Sequence, residues 1–250
     1  MFFVLIAVAA GIVALAHTAP FPFLLERISP DRAVWHMPRT HPATVYLTFD
    51  DGPNPSATPE LLDVLKREQA RATFFVVDRH INENTAPLLR RMFEEGHGVG
   101  IHSYQRSLMR LDASAFAAWV TAASDRVARL TGRRPCRAFR PHAGWRTAQM
   151  LRGLRQLDYK MVGWGWMLWD WNWYRAPTPE ALVPRLVGRV RAGDIIVMHD
   201  GHEAHQNADR RYTVDSVKRL VPALRDRGFS FGVVCDPSDA NVADSPAPFR

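Results

Sequence analysis

The chain alternates short apolar runs with longer amphipathic segments. Runs typical of β-strands cover residues 45–49, 72–77, 98–101, 137–139, 159–164, 194–198 and 230–234. Segments with helical periodicity lie between them, near residues 58–68, 84–95, 113–131, 146–156, 178–191 and 213–227. Four glycines stand where helices should end: Gly96, Gly132, Gly193 and Gly228. The alternation predicts an α/β fold built on a parallel sheet, either open or closed into a barrel.

Both ends of the chain differ from this central pattern. Residues 2–16 are almost entirely apolar, which is short of the ~20 residues of a spanning helix. The alternatives are an uncleaved membrane anchor, a cleaved signal and a plain hydrophobic arm, and we favour a signal or anchor over residues 1–25 that directs the chain to the cell envelope. Residues 26–43 have the composition of a linker or cap, residues 44–236 form the predicted domain, and residues 237–250 are predicted to be a loose tail.

The composition narrows the class of protein. Hydrophobic residues make up 47% of the chain and charged residues 23%, as in ordinary globular proteins, and the net charge is +7. This charge suits an anionic envelope surface, a glycan or nucleic acid, but the chain has no compact basic helix or basic-aromatic repeat, so we expect no nucleic-acid partner. Cys136 and Cys235 are predicted to be buried free thiols, with a single bridge between them as the alternative. The pattern makes no prediction of oligomeric state.

Polar side chains follow the predicted strands at the point where each strand ends. They are Asp50 and Asp51, His102, Arg140, Asp170 and His199. The carboxyl ends of parallel strands share one edge, and that edge carries the active site in α/β folds. Two adjacent carboxylates are costly to bury unless a cation or proton transfer stabilises them, whereas an exposed Asp-Gly turn is the simple alternative for Asp51 and Gly52. The shared edge favours an enzyme in which one carboxylate holds a metal and the other handles a proton.

The segment Thr48-Phe49-Asp50-Asp51-Gly52-Pro53 resembles the first motif of the polysaccharide deacetylases, carbohydrate esterase family 4, which share the NodB-homology domain. The resemblance runs from about Thr44 to Cys235. It implies a distorted (β/α)7 TIM-like barrel. It also implies that Asp50 is the catalytic base and that Asp51 is a metal ligand.

Three further segments resemble later motifs of this family. In Phe139-Arg140-Pro141-His142-Ala143-Gly144, the resemblance implies that Arg140 orients and charge-balances the base, and Ala143 stands in place of the usual aromatic residue. In the Trp-rich segment 164–171, Asp170 is expected to tune the catalytic histidine or to pair with Arg140. Most of the tryptophans between 164 and 173 are expected to pack in the core, and Trp171 or Trp173 is expected to floor a sugar groove. In Ile195-Ile196-Val197-Met198-His199-Asp200, His199 is expected to be the general acid.

The remaining motif departs from the family pattern. The segment His102-Ser103-Tyr104-Gln105-Arg106 keeps the first histidine of a metal-binding pair, but Arg106 replaces the second, and a guanidinium cannot ligate a metal. Three alternatives follow. His142 or His202 supplies a substitute ligand; or Asp51 and His102 hold a divalent ion (zinc, cobalt or nickel) with waters; or Arg106 contacts Asp51 and replaces the charge of the ion.

These observations predict a hydrolase that removes an acyl group, in the first place acetyl, from an N-acylated amino sugar of an envelope polysaccharide. Arg106, His142 and Trp171 are the predicted substrate-binding residues. Two other functions remain open. One is a glycan-binding domain that has lost catalysis, and the other is a metal-independent hydrolase of a different amide, such as a formamido or lipid-linked sugar.

Overall fold

The computed structural model describes residues 4–8, 11, 33–168, 170 and 178–235. The predicted tail over 237–250, most of the apolar segment over 1–25, and Trp171 lie outside this described part. Residues 4–8 are helical and exposed. Within the described part, no helix combines the length and the apolar character needed to cross a bilayer.

The fold is built on one β-sheet. Within the described residues this sheet has nine strands, and all of their pairings are parallel. The strands are β1 (Ala33–Val34), β2 (Thr44–Asp50), β3 (Thr73–Val77), β4 (Gly98–His102), β5 (Ala138–Arg140), β6 (Lys160–Val162), β7 (Trp166–Met167), β8 (Ile195–His199) and β9 (Ser230–Gly232). Their order is β1-β6-β5-β4-β3-β2-β8-β7, with β9 paired to the beginning of β2. This parallel, helix-connected sheet confirms the predicted fold class.

Within the described part of the chain, six α-helices connect the strands. They are α1 (Thr58–Arg67), α2 (Ala86–Glu94), α3 (Ala113–Thr131), α4 (Ala148–Gln156), α5 (Pro179–Arg189) and α6 (Arg211–Asp226). Each lies within two residues of its predicted span, because apolar residues recur at helical spacing along one face. Gly132 and Gly228 have φ angles of 74° and 83°, so they take the left-handed conformation that ends a helix.

The two faces of strand β2 have different roles. Val45, Leu47 and Phe49 are fully buried in the larger apolar core, which includes residues of the helices, and Phe49 stacks on Phe74 with ring centres 5.1 Å apart. The alternate positions Tyr46, Thr48 and Asp50 belong to the other face, because successive side chains of a strand point to opposite sides. Tyr46 packs there in the smaller apolar core. Asp50 ends the same face and so lies at the carboxyl edge of the sheet.

The structure differs from the sequence predictions at three points. Residues 33–43 were assigned to a linker or cap, but β1 pairs with β6 and Trp35 is only 1% exposed, so this segment is part of the domain. Strand β7 was not predicted, because a strand of two residues is too short to give an alternating pattern. Cys136 and Cys235 are joined in a disulfide rather than being free thiols. It ties the start of β5 to the end of β9, and a partner 99 residues away in the chain leaves no local signal.

Candidate active site

The centre of the candidate site is an ion pair between Asp50 and Arg140. The Nη1 atom of Arg140 donates to Oδ1 of Asp50 at 2.7 Å and to Oγ1 of Thr48 at 2.8 Å. The remaining donors bond the carbonyl oxygens of Gly163 (3.0 Å) and Val162 (3.3 Å). Arg140 is fully buried, and burial lowers its pKa while the charge of Asp50 opposes that shift. Because every group of the guanidinium is engaged, the Asp50 carboxylate is held in one position.

A second pair joins His199 to Asp170. Nδ1 of His199 lies 2.8 Å from Oδ1 of Asp170, and Oδ2 of Asp170 accepts hydrogen bonds from the backbone N–H of His199 (2.6 Å) and from the hydroxyl of Thr213 (2.8 Å). Burial disfavours the charged imidazole, but the charge and hydrogen bond of Asp170 outweigh it and raise the pKa of His199 to about 9. His199 is therefore an imidazolium at neutral pH. Of the two sequence alternatives for Asp170, the structure places it against the histidine and not against Arg140.

The two pairs lie side by side because their strands are neighbours. β2 and β8 are adjacent and parallel, and Asp50 and His199 are register partners. A buried carboxylate and a buried imidazolium thus end adjacent strands at the carboxyl edge. The side chain of His199 is 15% exposed, so the imidazolium is reachable from outside.

Asp51 and His102 form a third group at the same edge. Nδ1 of His102 lies 2.8 Å from the carbonyl oxygen of Arg140, so a neutral ring carries its proton there and turns the Nε2 lone pair toward Oδ1 of Asp51, 3.3 Å away. That Oδ1 atom is buried and accepts no hydrogen bond of good geometry from the described residues. Burial raises the pKa of Asp51, but the nearby imidazoles in their charged forms, His102 first, outweigh it, and the net shift is downward.

The backbone around Asp51 is shaped to present this carboxylate. Asp51 has a φ angle of 70°, a left-handed conformation that costs a non-glycine residue on the order of 1 kcal/mol. The ring of buried His80 bonds the Asp51 carbonyl oxygen at 3.1 Å, and the Val77 N–H bonds the Gly52 carbonyl oxygen at 2.9 Å. A Cβ atom on Gly201 would overlap the Asp51 carbonyl group. The neighbouring chain segments therefore hold Asp51 in this conformation.

Arg106 does not contact Asp51. Its guanidinium carbon lies 5.2 Å from the centre of the Trp145 ring, and it forms no ion pair with Asp51 or any other residue that the structure describes. The direct replacement of a metal charge by Arg106 was one sequence alternative, and this geometry does not provide it. Arg106 lies beyond a short loop that follows His102. The spacing of the two residues in the sequence therefore could not show whether Arg106 contacts Asp51.

The two histidines considered as substitute ligands lie in different places. The His142 ring is 6.4 Å from the His102 ring, which places it at the same site. His202 pairs with Glu203 at 3.3 Å and stacks on His205 with ring centres 4.9 Å apart. Burial lowers the pKa of His142, and the positive charges of His102 and Arg106 add to that shift. A neutral imidazole at His142 is the form able to act as a ligand or as a hydrogen-bond partner of substrate.

Asp51 and His102 fit the role of two ligands of one divalent ion. Ligand atoms about 2.1 Å from a tetrahedral ion lie about 3.4 Å apart, close to the 3.3 Å found here. The unpartnered, buried Asp51 oxygen is the atom that such an ion would satisfy. Within the described residues, no group of three His, Cys, Asp or Glu side chains is arranged for a metal. Asp51 and His102 are therefore two candidate ligands, and Arg106 stands where the family pattern has another histidine.

Several supporting residues were not anticipated from the sequence. Asp200 is 1% exposed, accepts a hydrogen bond from the Thr58 hydroxyl and lies against Gly52, where a Cβ atom would overlap its carboxylate. Burial and the charge of Asp51 raise the pKa of Asp200 to about 7. The Asn54 amide bonds the carbonyl oxygen of Asp200 at 2.9 Å. Asn54 follows the first motif directly and Asp200 follows His199, so chain proximity to the motifs was the available signal.

The tryptophans of the Trp-rich segment are described only in part. Trp164 is 7% exposed and belongs to the smaller apolar core, which confirms core packing for that residue. Trp166 donates from Nε1 to Asp194 at 2.8 Å. Trp171 and Trp173, the two candidates for the floor of a sugar groove, lie outside the described part of the chain.

Comparison with known proteins agrees with this geometry. A family model described as polysaccharide deacetylase matches residues 38–162. The chain belongs to the polysaccharide deacetylase family. It is 31% identical to a chitooligosaccharide deacetylase of Azorhizobium caulinodans (75% of this chain, 91% of the relative). It is 28% identical to a peptidoglycan-N-acetylglucosamine deacetylase of Bacillus cereus (81% and 91%).

A solved structure of the same family supports the fold and bears on the metal. The family 4 acetyl xylan esterase of Clostridium thermocellum, in complex with a cobalt ion, superimposes with a TM-score of 0.67 at 28% identity over 78% of this chain and 95% of the esterase. The predicted class, a hydrolase of carbon–nitrogen bonds in N-acylated sugars, is confirmed at the level of the family.

Proposed function

We propose that this member of the polysaccharide deacetylase family removes the acetyl group from an N-acetylated amino sugar of an envelope glycan. The observation that carries the proposal is the complete acid and base pair at one sheet edge, Asp50 with Arg140 and His199 with Asp170. The named activities of the relatives, on chitooligosaccharide and on peptidoglycan N-acetylglucosamine, supply the substrate class.

Two residues move protons in the proposed reaction. A water attacks the acetyl carbonyl carbon, and Asp50 takes a proton from that water as the new carbon–oxygen bond forms. The carbonyl oxygen becomes an oxyanion. Its collapse breaks the carbon–nitrogen bond while the imidazolium of His199 gives its proton to the departing nitrogen. The products are acetic acid, which ionises to acetate, and the free amine. Before the next cycle Asp50 gives its proton to solvent and His199 takes one back from solvent.

The environments of the two groups match these roles. Arg140 places a positive charge 2.7 Å from Asp50, which stabilises a buried carboxylate, and leaves Asp50 Oδ2 without a hydrogen bond from the described residues. The pKa of His199, about 9, keeps its proton available at neutral pH. The base and the acid thus have separate partners, Arg140 for Asp50 and Asp170 for His199.

A divalent ion, when bound, would polarise the acetyl oxygen and a water. Asp51 and His102 would hold it. In the family pattern a second histidine adds to them, and here waters or His142 would complete the ligand set. The cobalt ion in the related esterase supports a metal of this kind.

The experiment is acetate release from N-acetylglucosamine oligomers and from peptidoglycan by the full chain, first stripped of metal and then supplied with zinc, cobalt or nickel. Release that Asp50→Asn and His199→Gln both abolish would support the proposal. Asp209→Asn is the matched control, because Asp209 is an exposed carboxylate paired with Arg211. Wild-type protein that releases no acetate in any metal state would refute it.

A second function is favoured by the replacement at position 106. With two protein ligands instead of three, a glycan-binding domain without turnover is the outcome if the ion is not retained. Glycan binding without acetate release, with or without added metal, would select this alternative. A metal-independent hydrolase has less support, because Arg106 does not reach Asp51.

We propose further that the protein works in the cell envelope. The disulfide between Cys136 and Cys235 supports this placement, because disulfides form and persist in oxidising compartments outside the cytosol. The apolar residues 2–16 are consistent with export or anchoring. Thiol labelling of protein from fractionated cells tests the proposal, since cytosolic protein with two free thiols would refute it.

A further inference from the structure

Two exposed arginines at the edge of the candidate site rest on aromatic rings. The guanidinium carbon of Arg106 is 5.2 Å from the centre of Trp145, and that of Arg79 is 4.8 Å from the centre of Tyr104. Tyr104 and Arg106 belong to the segment that leaves β4 after His102, while Arg79 follows β3, the neighbouring strand. Both arginines therefore lie at the carboxyl edge that carries the candidate catalytic groups.

Neither guanidinium group is engaged by a carboxylate. Neither forms an ion pair with a residue that the structure describes, and Arg79 donates only to the backbone carbonyl of Glu203, at 3.2 Å. Some exposed arginines on other surfaces are paired with acidic side chains, as in Arg134–Asp125 and Arg219–Glu180, while others, such as Arg71 and Arg110, have no such pair among the described residues. Arg79 and Arg106 combine an unpaired charge with an aromatic support and a position at the carboxyl edge.

The stacking determines how Arg106 can bind. A guanidinium that lies over an aromatic face keeps its N–H groups at the edge of its plane, where they match a carboxylate or phosphate. Its charge acts on His142, whose ring is 6.4 Å from that of His102. An anion bound by Arg106 would consequently lie next to the groups that surround the scissile bond.

We propose that Arg106, assisted by Arg79, binds an oxyanion carried by the substrate, so that the site takes an acidic N-acylated glycan in preference to a neutral one. The inference rests on the proposed function for its view of the substrate as a glycan. It extends that function by assigning the replaced metal-ligand position to substrate selection. The anion is a sugar carboxylate or a phosphate, which share the geometry that a guanidinium recognises.

The test measures dissociation constants with the Asp50→Asn variant of the full chain, which keeps the arginines and does not turn substrate over. The probes are a peptidoglycan disaccharide with the free carboxylate of N-acetylmuramic acid, the same disaccharide with that carboxyl group reduced to an alcohol, and N-acetylglucosamine 1-phosphate beside N-acetylglucosamine. We expect an acidic probe that Arg106 binds to have a dissociation constant about tenfold lower than that of its neutral partner. A tenfold difference is the effect of one charge-assisted contact. The arm that shows the preference identifies carboxylate or phosphate as the source.

Variants locate the effect. Arg106→Gln should remove the preference and Arg79→Gln should reduce it, and added salt should weaken the acidic probe alone. Arg134→Gln is the control: it removes one exposed guanidinium from the segment that precedes β5, at the opposite edge of the sheet, and should change nothing.

Equal affinity for acidic and neutral probes, a preference that survives Arg106→Gln, or no binding of any probe would overturn the inference. These outcomes are independent of catalysis. Acetate release from neutral oligomers without an acid preference would leave the proposed function in place and overturn only the inference. Preferential binding of acidic probes with no acetate release from any glycan would support the inference and overturn the proposed function.

Discussion

Replacing Asp170 with Asn should deprive His199 of its proton at the pH where the enzyme works. Oδ1 of Asp170 lies 2.8 Å from Nδ1 of His199, and burial, which alone lowers the pKa of the ring, is outweighed by this partner, so that the pKa rises from 6.5 to about 9. At 1.36 kcal/mol per unit, the difference is worth about 3 kcal/mol. Asparagine has the same shape and retains an acceptor for the Thr213 hydroxyl, but carries no charge. In the variant, burial remains and its largest opponent is gone, while the charges of Asp51 and Asp50 still act on the ring, so the pKa of His199 should fall to near its ordinary 6.5.

The size of the kinetic effect follows from the two pKa values. At pH 8, a group with a pKa of 9 is about nine-tenths protonated, whereas one with a pKa of 6.5 is about three-hundredths protonated. We therefore expect kcat/KM for acetate release to fall about thirtyfold at pH 8, and its alkaline limb to move from near pH 9 to below pH 7. The measurement is the pH dependence of kcat/KM, with an NMR titration of His199 in the same protein.

The same pair has a signature in stability. Because the folded-state pKa of His199 lies above its ordinary value, the stabilisation is complete below pH 6.5 and is lost as pH rises through about 9. The free energy of unfolding of the wild type should fall over that range by on the order of 3 kcal/mol more than that of Asp170→Asn. An alkaline limb that stays near pH 9 in the variant, or a His199 titration that does not move, would refute this reasoning.

Three further predictions concern other parts of the molecule. Asp50→Asn should lower kcat by about 10²–10⁴-fold through loss of the base. It should also lower the free energy of unfolding by about 3 kcal/mol, because Arg140 remains buried without its counter-charge. Chemical denaturation measures the second effect, and unchanged stability would contradict it. Arg106→His should increase the zinc retained after dialysis against a weak chelator, since it restores an imidazole at the position where the family pattern has its second histidine. Elemental analysis measures the retained zinc. Equal metal content in wild type and variant would count against a metal at this site. The double variant Cys136→Ser/Cys235→Ser should lower the free energy of unfolding by about 2–4 kcal/mol. It should leave kcat/KM unchanged at low temperature, because the disulfide lies away from the carboxyl edge that carries the candidate catalytic groups. A loss of kcat/KM in fully folded protein would contradict that placement.

Much of the fold could be predicted because its signals are local. Strand β2 alternates between two buried faces and helix α3 repeats apolar residues at helical spacing, and both were predicted within a residue of their observed bounds. Glycine at the end of α3 is required by a φ angle of 74°, which is a property of that residue alone. Strand β1 was missed because two residues carry no periodicity and its partner, β6, lies far away in the chain.

The candidate site also has features that local motifs predict and features that depend on packing. Ordered motifs placed Asp50, His102, Arg140 and His199 at the ends of four predicted strands, and in a parallel sheet such ends meet at one edge. The motifs alone left Asp170 with two possible partners, and packing decided for the histidine. Likewise, spacing left the role of Arg106 open.

Local periodicity and short motifs are enough to specify the family, the order of strands and helices, and the residue types at the carboxyl edge of the sheet. Which atoms meet depends on contacts between distant parts of the chain. The tertiary structure joined Cys136 to Cys235, directed Asp170 to His199 and placed Arg106 on Trp145 instead of Asp51. Each of these contacts links segments that are distant in the chain or separated by a loop. Their geometry depends on how the whole sheet and its loops pack, which no local pattern specifies.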